Sequence, residues 1–444
     1  MKKSEFQTNT REFLKGFLIV FLVGLAIRIA LFITYLPVSY NDTASYWRSA
    51  QALLENFSIY DGTRTPGYPA FLAIAGSERV VYILQLLMGL MISLVLFTLG
   101  KRLTGSTVFG VLAGIVHSLN AGQIFFEANV LTETLTTFWL ALTFLFVFLG
   151  ARQDAKIRLL YFTLAGLTSS LTALTRPLFI FLPVLLSVFL AVKFSNRKVT
   201  INWRPLLCVL IPAIILVGGW MGWVKTRFGV LNLSVMGGFH MVQHTGYYFE
   251  DVPEEDAILR DIYLQYRDKR VALYGTQGNT IWDAIPAMQE ASGLNIIELS
   301  AELQRISIGL IKTHPWQYMK FVLKGWALFW LAPVYWSENA YLQPAFIPIA
   351  RIWVFMGRAI SFGSNLLFIV TSALALFWKK LRQVWNLKPM LWIMTATVCA
   401  TSIVQTLLDH GDNPRFLVPL QSLVIFWVLW IIYHSWFILK QKRA

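Results

Sequence analysis

Charge is scarce in this sequence: Asp, Glu, Lys and Arg supply only 14% of its 444 residues, against roughly 25% in ordinary soluble domains. That excludes a water-soluble globule. A disordered chain is excluded as well, because such chains are poor in aromatics, and here Phe, Tyr and Trp make up 15%. Cysteine is nearly missing. Cys208 and Cys399 both lie inside apolar segments, where neither can staple an exported loop. Internal repeats, low-complexity segments and the paired half-helices of many transporters are also lacking.

What is abundant is apolar sequence, 56% of the chain, gathered in long blocks. A block of about 20 such residues crosses a hydrocarbon core of ~30 Å. Blocks of this kind fall near 17–36, 80–99, 107–124, 130–149, 158–175, 177–192, 206–224, 356–378, 389–408 and 416–437. The expected fold class is an all-α polytopic membrane protein with about ten transmembrane helices plus interfacial helices. The first block follows Lys2, Lys3, Arg11 and Lys15 and lacks a small-residue cleavage site, so it is expected to be a retained helix with a cytoplasmic amino terminus. Residues 318–336 are apolar too. Counting them as a span would move Lys379 to Lys388 to the wrong side, so they are expected to lie along the outer interface.

Basic residues accumulate in cytoplasmic loops, and the alternate loops obey that rule. They hold Lys101 and Arg102; Arg152, Lys156 and Arg158; Lys193, Arg197, Lys198 and Arg204; Lys379, Lys380, Arg382 and Lys388; and Lys440, Lys442 and Arg443. Of the acids, only Glu5, Glu12 and Asp154 fall on that side. The net charge of +15 is therefore chiefly an orientation signal with anionic membrane lipid as its partner. It does not call for nucleic acid. Two external segments exceed simple turns, 37–79 and 225–316. The expected division is a membrane catalytic module over 1–224, an external loop domain over 225–316, and an interfacial helix with further spans over 317–444.

In the first external loop, Asn41-Asp42-Thr43-Ala44-Ser45-Tyr46-Trp47 opens a segment with Ala50, Leu53, Leu54 and Phe57 at helical spacing. Arg64-Thr65-Pro66-Gly67-Tyr68-Pro69 then predicts an extended proline turn. Asp42 sits where a carboxylate can reach both a lipid headgroup and an exported acceptor. Spacing alone leaves a second role open, since Asp is also a favoured helix N-cap.

These residues resemble the first loop of polyprenyl-phosphate-dependent membrane glycosyltransferases, the protein-mannosyltransferase and aminoarabinose-transferase-like group. Further segments are similar to that family in the same order: Leu131-Thr132-Glu133-Thr134-Leu135, Ala173-Leu174-Thr175-Arg176-Pro177, His314-Pro315-Trp316-Gln317-Tyr318, and Pro414-Arg415-Phe416 with Pro419. The resemblance implies a C-type glycosyltransferase architecture and inverting transfer of a hexosyl or pentosyl group from a polyprenyl-phosphate sugar donor to a lipid, glycan or protein acceptor. It also implies that Asp42 is the essential acid. Thr43 stands where the mannosyltransferases carry a second acid, which removes a local pair able to hold a divalent cation. No metal and no other cofactor is expected.

Such a donor already carries a good leaving group. The enzyme must take a proton from the acceptor hydroxyl and stabilise charge growing on phosphate. Asp42 is the expected general base, and Glu133 is expected to orient Asp42 or the sugar. Arg64 is the leading phosphate ligand because a guanidinium pairs bidentately with phosphate oxygens. Tyr68, Arg176 and Arg415 join it as candidate phosphate or sugar contacts. Lys225 and Arg227 are candidates as well, although a basic pair at a span end commonly snorkels to headgroups.

Other polar residues are expected to be structural. Loop solvation accounts for Glu127, an intramembrane ion pair for Arg28, and turn chemistry for Asp409-His410-Gly411-Asp412. His240 and His244 have metal-compatible spacing but no evident third ligand. Two rivals stand beside the glycosyltransferase. One is a lipid or sugar transporter, which would place charges near the bilayer midplane, and the other is an oligosaccharide polymerase or ligase. Asn41-Asp42-Thr43 is also a glycosylation sequon, and a glycan beside the base would obstruct it. That favours a bacterial or archaeal cell membrane, with both termini cytoplasmic and the site external.

Overall fold

The computed structural model describes residues 2–194, 203–331, 334–410 and 413–441. Arg197, Lys198, Asp412, Lys442 and Arg443 lie outside the described residues, as do the side chains of Lys2, Lys3, Glu5 and Lys440. The chain begins with the long apolar helix α1 (Lys2–Thr34), followed by surface helices α2 (Asn41–Glu55) and α3 (Gly67–Ala75). Next come α4 (Glu78–Thr104), α5 (Thr107–Leu119), α6 (Ala121–Ala128), α7 (Glu133–Gly150), α8 (Ala155–Thr175), α9 (Leu182–Phe194) and α10 (Trp203–Ala213). A π-helical turn over Ile214–Gly218 carries α10 into α11 (Gly219–Phe228).

Among the described residues, nine helices are long and apolar enough to cross a membrane, and α5 with α6 makes a tenth, bent by 54°. Counting that pair as one span gives the ten that the sequence leads one to expect, and the protein is an all-α, multi-pass membrane protein. The bend falls at Asn120, whose side chain accepts from Gln123 N at 3.1 Å and so caps α6. In hydrocarbon a broken helix must meet its freed backbone groups internally.

After α11 come four helices, α12 (Gly237–Thr245), α13 (Ala257–Tyr274), α14 (Thr280–Ser292) and α15 (Ile296–Thr313). They share a core of their own in which Phe239, Phe249, Ile281, Met288, Leu299 and Leu303 are fully buried. Gly238 permits the closest approach, since a Cβ there would meet Ser300 O at 1.8 Å. The following helix α16 (Pro315–Phe329) has 15 residues, or about 22 Å at 1.5 Å per residue, which is short of a span. It buries Val322, Gly325 and Phe329, and Trp326 Nε1 donates to Ser402 Oγ at 3.2 Å. The chain closes with α17 (Ile347–Phe377), α18 (Lys379–Val384), α19 (Pro389–Leu408) and α20 (Val418–Gln441).

One polar residue inside the bundle corrects the sequence expectation, and another meets it. Glu127 is not a solvated loop acid. It is 1% exposed and accepts from two guanidinium nitrogens of its partner, Arg28 Nη2 at 2.7 Å and Arg28 Nε at 2.8 Å. Burial of either charge alone costs several kcal/mol, so the pair is what admits both. Gly89 makes room for it, because a Cβ there would sit 1.9 Å from Glu127 Oε1. Arg28 thus has the intramembrane ion partner foreseen for it, and the partner is Glu127.

Candidate active site

The loops at one end of the bundle bring two carboxylates and three guanidiniums together. Asp42 lies in the first turn of α2, Arg64 in the loop before α3, Glu133 at the start of α7, Arg176 just after α8, and Arg415 in the 3₁₀ turn Pro414–Phe416 before α20. Each segment end is fixed by local chemistry. Tyr40 is the N-cap residue of α2, and its N–H donates to Thr43 Oγ1 at 2.9 Å. Asp42 therefore does not cap the helix, and its carboxylate is turned toward cations, although an acid in the first turn still suits the helix dipole. Gly67 lets the Arg64 loop close on α8, since a Cβ there would meet Leu174 O at 2.7 Å. Arg176 precedes Pro177, which ends the α8 pattern and starts a 3₁₀ turn.

The contacts form a chain. Arg64 Nη2 donates to Asp42 Oδ1 at 2.7 Å, and Arg415 Nη1 donates to Asp42 Oδ2. Arg415 Nε donates to Glu133 Oε1 at 2.6 Å, and Arg176 Nη1 reaches the same oxygen at 3.0 Å. Arg176 Nη1 also donates to Arg415 O at 2.6 Å, which fixes the backbone of the turn. Glu133 is fully buried, with Oε2 lacking a hydrogen-bond partner. Arg176 and Arg415 are nearly buried, while Asp42 and Arg64 keep side-chain exposures of 33% and 28%. Access to the cluster is therefore from the Asp42–Arg64 edge.

Electrostatics follow from this arrangement. Burial resists ionisation of Asp42, but Arg415 and then Arg64 outweigh it and hold the carboxyl well below the usual carboxylate range. Arg415 is likewise opposed by burial, yet Glu133, Tyr46 and Asp42 push its pKa well up. With three guanidiniums against two carboxylates, the cluster carries one surplus positive charge. Such a surplus in a partly desolvated site is an anion receptor.

Arg64 has anchors that the sequence did not single out. Its Nε donates to Ser45 Oγ at 2.9 Å, and its guanidinium lies 4.6 Å from the centre of the Tyr46 ring. Ser45 and Tyr46 sit three and four residues after Asp42 on a helix, a spacing that shares one face. That signal was available in the sequence. Tyr40 was not singled out either: its ring stacks on Tyr335 at 5.3 Å. Burial above all, with Tyr335 and other neighbours, lifts its phenol to about 12.

The remaining candidates lie apart from this chain of contacts. Tyr68 is fully buried, its hydroxyl donating to Gln85 Oε1 at 3.2 Å, so its polar end is spent within the protein. Gln85 Nε2 in turn donates to Asn129 O at 2.8 Å and Glu127 O at 3.1 Å. Lys225 is exposed and closes its own helix by donating to Gly229 O at 2.8 Å. Arg227, also exposed, donates to Ser58 O at 3.1 Å.

Asp409 and His410 are not a solvated turn. His240 Nδ1 donates to Asp409 Oδ2 at 2.9 Å, and His244 Nε2 points at Thr406 O and Asp409 O, at 2.7 and 2.9 Å. They join the four-helix unit to the segment that leads into Arg415. The described residues contain no cluster of three or more His, Cys, Asp or Glu able to hold a metal ion.

No protein-family model and no curated protein matches this sequence. Among solved structures, the chain is similar over 97% of its length to the apo oligosaccharyltransferase of Archaeoglobus fulgidus, with 14% identity and a TM-score of 0.49. It spans about half of that protein, 51% of its length. The same oligosaccharyltransferase tethered to an acceptor peptide containing the NVT sequon is similar over 93% of this chain and 49% of its own, with 14% identity and a TM-score of 0.46. ArnT from Cupriavidus metallidurans in the apo state is similar over 92% of this chain and 76% of its own, with 13% identity and a TM-score of 0.39.

Proposed function

We propose that this protein is a C-type membrane glycosyltransferase that moves a sugar from a polyprenyl-phosphate donor to an acceptor hydroxyl at the external face of a bacterial or archaeal cell membrane. The observation that carries this reading is the chain Arg64–Asp42–Arg415–Glu133–Arg176, open to its surroundings at the Asp42–Arg64 end. Asp42 acts as general base without a metal. Arg64 and Arg415 take the phosphate, and Glu133 with Arg176 fixes Arg415 from behind.

Charge arithmetic supports a donor with a single phosphate. The phosphodiester of a polyprenyl-phosphate sugar carries one negative charge, which matches the surplus of the cluster. On transfer, the acceptor O–H proton passes to Asp42, the new bond forms between acceptor oxygen and anomeric carbon, and the electron pair of the broken C–O bond stays on the phosphate. The negative charge lost by Asp42 is thus the charge gained by the phosphate, and the cluster stays neutral throughout. A site that is electrostatically matched before and after the step needs little reorganisation.

The test is transfer from a radiolabelled polyprenyl-phosphate sugar pool in membranes carrying matched amounts of wild type, Asp42→Asn and Asp42→Ala. Both variants are expected to be present and inactive. Normal turnover by Asp42→Asn would remove the base from the mechanism.

A further inference from the structure

Both oxygens of Asp42 are occupied. Arg64 holds one and Arg415 the other, so an incoming hydroxyl meets each oxygen with a guanidinium already on it and only the second lone-pair direction left. A base tied in this way is weak, because two guanidiniums stabilise its ionised form and protonation gives up much of both charge-assisted hydrogen bonds. The anchoring of the three residues is unequal. Arg415 is also held by Glu133 and through its backbone by Arg176. Arg64 is also held by Ser45 and the Tyr46 ring. The Asp42 carboxylate is held by those two guanidiniums, and it is the most exposed of the five charged side chains.

We propose that Asp42 is masked in the resting protein and unmasked by the donor: its carboxylate and the donor phosphate compete for Arg64 and Arg415, so only a site already holding donor offers a base to the acceptor. This rests on the glycosyltransferase reading above and adds an order of events to it. Phosphate entering from the Asp42–Arg64 edge takes over guanidinium donors, which five N–H groups per arginine make possible. Glu133, Ser45 and Tyr46 keep both arginines in place meanwhile. Asp42 is released toward the acceptor, and its basicity rises as its cations turn to phosphate. The same exchange disfavours proton abstraction before a donor is present.

Competition makes a prediction that a structural role for Asp42 does not. Removing the carboxylate should tighten binding of a lipid phosphate. Equilibrium binding of farnesyl phosphate to the purified full-length protein in detergent is measured for wild type, Asp42→Asn, Asp42→Ala and Arg415→Gln, with thermal unfolding to verify folding. The two Asp42 variants are expected to bind about tenfold more tightly than wild type, within the usual range of coupling between sites, and Arg415→Gln more weakly. Binding that is unchanged or weaker in a folded Asp42 variant overturns the competition. If wild type binds farnesyl phosphate and transfers sugar while the Asp42 variants bind no tighter, masking fails and the glycosyltransferase reading stands. If neither wild type nor the variants bind farnesyl phosphate, both fail.

Discussion

Arg415 joins Asp42 to Glu133, giving Nη1 to the first and Nε to the second at 2.6 Å. A flat fork is the reason one side chain serves two acids at once, and a lysine ammonium is a point charge without that geometry. Arg415→Lys is therefore expected to keep the fold and lower turnover on the order of 10²-fold, the usual loss for one preorganised donor. Kinetics alongside thermal unfolding check this, and wild-type turnover in Arg415→Lys would remove the fork from the mechanism.

A cation at Asp42 would compete with two guanidiniums, one on each carboxylate oxygen, and Thr43 beside it adds no second acid. Sugar transfer is expected to persist in EDTA and to show no gain on adding Mg²⁺ or Mn²⁺. Loss of transfer in EDTA with recovery by either ion would show that the arginines do not replace a cation.

Gly67 carries the Arg64 loop against α8 with no space for a methyl group, 2.7 Å from Leu174 O. Backbone cannot swing aside as a side chain can. Gly67→Ala is expected to cost about 1–3 kcal/mol, the usual range for overpacking, and to reduce turnover further by displacing Arg64. Thermal unfolding and turnover measured together separate the two effects; a stable, fully active variant would show that the loop yields.

Arg28 and Glu127 form a closed pair inside the bundle. Arg28→Met alone should cost roughly 3–5 kcal/mol by stranding a buried carboxylate. Adding Glu127→Met should return most of that loss. The check is a double-mutant cycle on thermal unfolding, and additive losses would show that the charges are not paired in the membrane.

His244 offers a pH readout of the joint beside Asp409. Burial, its largest influence, keeps the imidazole below its ordinary pKa against the pull of Asp409 and two backbone carbonyls. Beneath a pH of about 6.5 the unfolded chain binds a proton that the folded one does not, so stability falls as pH drops through that window. Protection factors of the α12 amides, taken relative to the intrinsic exchange rate at each pH, are expected to fall between pH 7 and pH 5 in wild type and to change less in His244→Gln. An equal fall in both would place the sensitivity elsewhere.

Much of the architecture was legible in the sequence because lipid enforces it. A span must be apolar for about 20 residues, so the ten blocks reappear among the described residues as nine long apolar helices and one bent pair, and the short block at 318–336 was set aside. Asp42, Arg64, Glu133, Arg176 and Arg415 could be singled out, because charges at span ends are few and stand in recognisable company. Their pairing could not be read. Arg415 lies 373 positions from Asp42 and Arg28 lies 99 from Glu127, and helical periodicity encodes which face is apolar, not which neighbour it meets. Glu127 was misjudged for that reason, as a loop acid at a span boundary. Asp409 looked like turn chemistry because its partner histidines lie some 165 residues upstream.

Gln85 bears on how firmly the first external loop is tied to the bundle. Its amide spends itself on Tyr68, Asn129 and Glu127, and it links α3, α4 and the stretch between α6 and α7 in one dry joint. A joint braced in this manner pins α3 to α4, so the loop that carries Arg64 into α3 is anchored at its far end as well as at Asp42.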